Sequence, residues 1–415
     1  MIERPFYIRK IEPFIDKSII KVLVGIRRSG KSFIMGFIKS LLLERGVPEN
    51  QIVEVNFESR MLPFAKNVDD IYKFIKTKAV KAKAAKNPQK TLYLLFDEIQ
   101  EVEGWETLIN AVSVDFKVDV YLTGSNAKLL SGELATYLSG RYVEIHVYPL
   151  SFSEVLPCYQ ASDAAITVRD AFRKYVREGG LPFVHDAGIS GEVYRAYVTD
   201  VFNSVLLKDI AKRHKIRDVD MLERILSYLI MEVGHLFSAQ SIVRFLKHEN
   251  RSVSLETLYN YLKYANEACL ALTLKRNDLV GKQLLSSQEK VYLADHGFRE
   301  ALFGNNEACI DQILENIVAV DLVRRGYNVT VGLVGGKEVD FVAERAGRKI
   351  YIQVAYLMPT QEVRDREFSV LETIADNYPK YVLSMDEVDF SRNGIIHEPI
   401  YKFLLEGNLC QKKER

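Results

Sequence analysis

Eight consecutive residues, Gly25-Ile26-Arg27-Arg28-Ser29-Gly30-Lys31-Ser32, fill every fixed position of the pattern G-x-x-x-x-G-K-[ST]. Residues of these types at this spacing suit a polyphosphate. Gly25 and Gly30 let the backbone turn so that its N–H groups, those of Arg28 and Ser29 among them, point inward at phosphate oxygens. A helix beginning near Lys31 adds its positive N-terminal end to the same anion site. Lys31 is then placed for the β- and γ-phosphates, and the Ser32 hydroxyl for Mg²⁺. The elements needed to hold the motif flank it. Ile19 to Val24 is a short apolar, β-branched run, and Phe33 to Leu41 spaces its apolar residues as a helix does. That strand–loop–helix context separates the motif from a chance Gly-Lys-Ser turn and predicts binding of ATP or GTP.

A second acidic half is expected downstream. Thr91 to Phe96 is a near-continuous apolar run, as in a buried parallel strand, and it ends in Asp97-Glu98. An acid at that strand end holds the metal, and the next one polarises an attacking water, which assigns Asp97 to Mg²⁺ and Glu98 to general base. A third run, Val118 to Thr123, leads into Gly124-Ser125-Asn126. Ser125 or Asn126, with Thr123 as the weaker candidate, could sense the γ-phosphate; the same residues equally suit a backbone turn. Arg141, in Leu138-Ser139-Gly140-Arg141-Tyr142, precedes another β-like run. It is a candidate arginine finger, in cis or in a neighbour's site, or else a surface ion pair.

Taken together, these motifs are familiar. The phosphate loop, Leu95-Phe96-Asp97-Glu98-Ile99-Gln100 with nearby Trp105-Glu106, Leu122-Thr123-Gly124-Ser125-Asn126, and Leu138-Ser139-Gly140-Arg141-Tyr142 resemble those of the AAA+-like P-loop ATPases of bacteria and archaea, in particular the archaeal-type ATPase group. The likeness continues through Phe152-Ser153-Glu154 and Glu178-Gly179-Gly180-Leu181-Pro182 and covers nearly the whole chain. It implies ATP rather than GTP, since no base-specific Asn-Lys-x-Asp motif is present. It also implies hydrolysis with Mg²⁺, and a C-terminal domain of unknown function similar to restriction-endonuclease-like folds. Relatives of this kind often form rings, which leaves a homo-oligomer open.

The 415 residues suit about two to three domains, and 48% apolar with 27% charged residues is an ordinary globular composition. No run approaches the ~20 apolar residues of a membrane span. The opening Met1 to Phe6 lacks a signal peptide's apolar core. Cys158, Cys269, Cys309 and Cys410 are isolated from one another, which predicts free thiols, no structural zinc and a cytoplasmic protein. A net charge of +1 means that any nucleic-acid surface must be local. The Ala/Lys-rich segment 73–86 ends before Asn87-Pro88 and reads as a crossover helix with a solvated face. A second basic cluster, 208–217, reads as a linker or lid end.

The expected architecture is α/β throughout: a parallel-sheet P-loop ATPase domain over 1–150, a helical lid or linker over 151–218, a winged-helix domain over 219–296, and a nuclease-like domain over 297–415. In the winged segment the helix following Ser254 offers Glu256, Thr257, Asn260 and Lys263 to a DNA major groove, or else serves packing. The last domain resembles a metal-dependent nuclease core with Glu on a helix, Asp on a strand and [DE]-x-Lys on the next. Glu315 and Asp340 match the first two positions. The third reads Gln353-Val354-Ala355, so the activating Lys is missing and an amide replaces the acid; Lys349 is the one nearby substitute. A degenerate site used for binding is therefore expected ahead of catalysis. Three functions remain open: an ATP-driven switch acting on a partner, with double-stranded DNA in view; a DNA-processing enzyme with an unusual nuclease centre; and a nucleotide-gated protein-interaction module.

Overall fold

The computed structural model describes residues 2–64, 66–82, 91–127, 140–248, 251–279 and 283–406, apart from the side chains of 283–288. Two compact units emerge, the first formed by Glu3–Val147 with Glu267–Cys269 and the second by most of the remainder. Among the described residues no helix is long and apolar enough to cross a membrane.

The first unit is built on five parallel strands: β1 (Ile20–Val24), β2 (Ile52–Asn56), β3 (Leu92–Asp97), β4 (Val118–Gly124) and β5 (Tyr142–His146). Their order across the sheet is β2-β3-β4-β1-β5. β1 and β3 are buried along their whole length because helices cover both faces, so their sequences are continuously apolar rather than alternating. The side chains nonetheless divide by the two-residue period of a strand. Leu23, Tyr93, Leu95 and Tyr121 pack with Ile34, Met35, Ile38 and Leu42 of helix α2 (Lys31–Glu44), and with Tyr7 and Ile11 of α1 (Pro5–Ile11). Val22, Val24, Leu94, Phe96 and Leu122 pack on the other face against Ile71 and Ile75 of α3 (Val68–Lys81) and Trp105, Leu108 and Val112 of α4 (Trp105–Asp115). α3 begins at Asn67, whose side chain accepts from the Asp70 N–H at 2.9 Å, and turns Lys73, Lys76, Lys78 and Lys81 to solvent. The rest of the basic run, 83–86 with Asn87-Pro88, lies outside the described residues. The strand order has one consequence for function. β4 pairs with β1 on one side and β3 on the other, so the phosphate-loop strand and the acidic strand are not neighbours.

The second unit opens with helices Phe152–Ser162, Val168–Glu178, Pro182–Asp186 and Gly191–Ser204, the last running on as a π-helical stretch, Val205–Lys212. Phe152-Ser153-Glu154 has a local role: the Glu154 carboxylate accepts from the Ser151 N–H at 2.9 Å, closing a capping box at the helix start. Gly180 sits where a Cβ would lie 2.2 Å from the Leu150 carbonyl oxygen, so no larger residue fits there. Its N–H donates at 2.8 Å to Asp295, whose other oxygen accepts from Gly297 N–H at 2.7 Å.

Three further helices, Val219–Met231, Ala239–His248 and Leu255–Glu267, precede a hairpin of β6 (Ala271–Asp278) and β7 (Gln283–Leu293), the element order of a winged helix. The hairpin does not stand apart. β6 pairs in parallel with β8 (Asn328–Val334), so the expected 219–296 and 297–415 pieces share one seven-stranded sheet. That sheet continues through β9 (Lys337–Arg345), antiparallel to β8 and to β10 (Arg348–Val354), and then through the parallel strands β11 (Lys380–Ser384) and β12 (Ile395–Pro399). The helix Ile310–Arg324 buries Ile313, Leu314, Ile317, Val318 and Leu322 and is followed by Gly326 at φ +88°.

Candidate nucleotide-binding site

The loop between β1 and α2 is shaped by residues that other types would not replace. A Cβ at Gly25 would lie 2.2 Å from the Val147 carbonyl oxygen, and Gly30 takes the left-handed conformation at φ +96° as the N-cap of α2. Arg28 is left-handed too, at φ +66°. The Lys31 ammonium is buried and folds back on the loop, donating to the carbonyls of Gly25 at 2.9 Å and Ile26 at 3.0 Å. Ser32 stands exposed in the first turn of α2. One clamp on this loop was not evident in the sequence. Arg4, only 3% exposed, donates to the Ser29 carbonyl at 2.8 Å and lies over the Tyr7 ring.

Asp97 ends β3 and Glu98 follows it, both buried. Asp97 is fixed through both oxygens: Oδ1 accepts from the Thr123 hydroxyl and Oδ2 from the Asn56 amide at 3.0 Å. Thr123 works in two directions, since its Oγ1 also accepts from the Glu98 backbone N–H at 3.0 Å. This follows from the strand order. β4 lies between β1 and β3, so the residue at its end stands between phosphate loop and acids. Glu98 is left-handed at φ +54°, and its carboxylate accepts from the Gln100 amide. Burial raises its pKa above the usual glutamate value, opposed by the Lys31 charge and the Gln100 bond and assisted by Asp97. A carboxyl tuned upward beside a cation is a better proton acceptor than an ordinary glutamate.

Two further candidates lie at the same end of β4 as Thr123. Ser125 and Asn126 follow β4 and are fully buried. The Arg141 carbonyl accepts from the Ile20 N–H at 2.8 Å, which places this residue where β1 begins. The phosphate loop leaves the other end of the same five-residue strand, roughly 16 Å away at about 3.3 Å per residue. Arg141 is thus separated from the loop of its own chain.

In the second unit the three nuclease-like positions do converge. Asp340 Oδ2 accepts from the Val354 N–H at 2.8 Å, and Gln353 donates to Glu367 at 3.3 Å while accepting from the Asp340 N–H. Glu315 accepts from Tyr292 at 2.9 Å. The group also contains Lys290 from β7, whose ammonium lies 2.9 Å from Glu315 and 2.7 Å from Glu338. A cavity of ≈ 490 Å³ lined by Glu232, His235, Lys290, Glu315 and Glu338 opens onto it. Burial alone lowers the Lys290 pKa, but Glu315, Asp340 and Glu338 outweigh it and hold the amine protonated, unable to act as a base. Burial raises the Glu315 and Asp340 carboxyls. A divalent metal does not fit this donor set. The positive charge is already supplied by a side chain, and among the described residues no group of three or more His, Cys, Asp or Glu is arranged to hold an ion. Lys349 is not part of the group, since it pairs with Glu344 at 2.7 Å.

Comparison with known proteins agrees with the first unit's geometry. Residues 17–156 match the AAA domain and residues 169–308 match a domain of unknown function. The chain belongs to the AAA+-like P-loop ATPases. An uncharacterized protein of Haemophilus influenzae is 37% identical over 384 residues, covering 92% of this chain and 93% of its own. One from Methanocaldococcus jannaschii is 29% identical over 404 residues, covering 92% and 86%. The Aeropyrum pernix ORC1 protein in complex with DNA superposes with a TM-score of 0.30 at 11% identity, over 75% of this chain and 94% of that one.

Proposed function

We propose that this chain binds ATP with Mg²⁺, hydrolyses it, and uses the cycle as a switch on a partner, with duplex DNA the first candidate. The observation that carries the reading is the hydrogen-bonded chain Asn56–Asp97–Thr123–Glu98, set one strand away from the Lys31 loop. Lys31 stabilises charge on the transferring phosphoryl group, and backbone N–H groups of the loop hold the phosphates, that of Ser29 excepted because it donates to the Ile26 carbonyl at 3.2 Å. Ser32 and Asp97 fit a divalent cation, since an exposed hydroxyl in the first helical turn and a carboxylate with fixed orientation are oxygen donors of the right kind. When bound, the cation neutralises phosphate charge. Glu98 accepts the proton of the attacking water, and Thr123, ahead of Ser125 or Asn126, links both acids to β4. Arg141 would serve a neighbouring copy's site in a homo-oligomer.

The partner surface proposed is the outer face of Leu255–Glu267. Glu256 and Lys263 are exposed there and Asn260 half-buried, while Leu258 and Leu262 face inward. Its modest charge predicts few phosphate contacts and a shallow salt dependence. The Lys290 arrangement favours binding over cleavage for the C-terminal sheet, so a nuclease is the weaker reading. Steady-state ATP turnover with and without duplex DNA tests the assignment. A several-fold rise with DNA that is lost in Lys263→Glu supports the DNA switch; turnover indifferent to DNA points to a protein partner instead.

A further inference from the structure

Gln100 lies two residues beyond Glu98, in the single 3₁₀ turn Ile99–Glu101. Glu98's left-handed backbone is a conformation that non-glycine residues adopt rarely and where the surroundings hold them in it. Here Thr123 holds the backbone N–H and Gln100 holds the side chain. An ionised carboxylate only accepts, so the NH₂ of Gln100 must face Glu98, and its Oε1 must point away. That Oε1 is buried and, among the described residues, has no hydrogen-bond partner. A buried acceptor without a donor is destabilising, so its presence beside two acids calls for an explanation.

We propose that Gln100 positions the attacking water: its amide nitrogen fixes the Glu98 carboxylate while its Oε1 accepts one hydrogen bond from the water that Glu98 deprotonates. This rests on the reading of Glu98 as general base. The water oxygen forms a bond to the γ-phosphorus, and the bond from that phosphorus to the bridging oxygen breaks. The bond's electron pair leaves with ADP, and one water proton passes to Glu98. The second stays on the product phosphate as the hydroxyl facing Gln100 Oε1. Two acceptors flanking one water define its orientation, which a single carboxylate does not.

Steady-state turnover across pH, with ATP affinity measured in parallel, tests this in Gln100→Leu and Glu98→Gln. Gln100→Leu is expected to lose about 10²-fold in kcat with ATP affinity unchanged. The acid limb of the profile should move to higher pH, because Glu98 loses a donor that favours its charged form. Gln100→Glu keeps the size and the acceptor, and its turnover should recover as pH falls to where the two carboxyls share one proton, a rescue that a packing role does not provide. The inference is overturned if Glu98→Gln is inactive while Gln100→Leu keeps wild-type kcat and an unshifted acid limb. Wild-type turnover by Glu98→Gln would instead remove the general-base reading, and this inference with it.

Discussion

Replacing Thr123 by Val probes the joint between the two acids. The substitution keeps shape and removes one hydroxyl at a position with no solvent exposure, so water cannot take its place. Two bonds go at once: the Glu98 N–H loses its acceptor, and Asp97 loses one of its two donors. An orphaned buried N–H costs about 1–3 kcal/mol and a hydrogen bond to a charged group contributes about 1.5–3 kcal/mol. Asn56 still holds Asp97, so the combined loss should be about 2–4 kcal/mol. The chain's one tryptophan, Trp105, is buried in the same unit and gives a fluorescence signal for that unit alone. With m of about 2 kcal/mol/M, the urea midpoint seen by Trp105 should fall by roughly 1–2 M in Thr123→Val. Thr123→Ser, which retains the hydroxyl, should lose much less. A Thr123→Val midpoint equal to wild type would refute the claim that this hydroxyl braces the acids.

Two more expectations concern the second unit. Lys290→Met leaves Glu315, Glu338 and Asp340 without their buried counter-ion, a loss of about 3–5 kcal/mol near neutral pH. Because burial holds the folded-state pKa values of Glu315 and Asp340 above their unfolded ones, the variant's stability should fall as pH rises through them, and the deficit should shrink as pH falls and they take up protons; a deficit independent of pH would contradict this. Asp295, whose carboxyl burial pushes up to about 7, loses an acceptor in Asp295→Asn, so the Gly180 and Gly297 amides should exchange hydrogen faster; unchanged rates there would count against the Gly-Gly anchor.

The phosphate loop and the acidic strand were legible because each is a local chemical statement, with motif and flanking elements contiguous in the chain. What escaped depends on which strands become neighbours. Thr123 is the weaker candidate by sequence, and its bonds to both acids follow only from β4 lying between β1 and β3. Gln100 belonged to a recognised motif but had no role, since its bond to Glu98 requires the latter's left-handed backbone. Arg141 stands close in sequence to the site, and only the strand direction shows it at the opposite edge. Lys290 comes from the hairpin assigned to the winged segment, 25 residues before Glu315, and joins the acids because that hairpin enters the C-terminal sheet. Glu178-Gly179-Gly180 marked the group without explaining itself; its anchor, Asp295, lies 115 residues away from Gly180.

The central claim is that Lys31, Asp97 and Glu98 together form an ATP-hydrolysing centre. The most direct measurement is single-turnover release of labelled phosphate from ATP and Mg²⁺ by wild type and Glu98→Gln, with nucleotide occupancy recorded in the same samples. Both proteins should load ATP and only wild type should release phosphate at an appreciable rate, with an acid limb above the ordinary glutamate range. Equal phosphate release by the two, at equal occupancy, would contradict it.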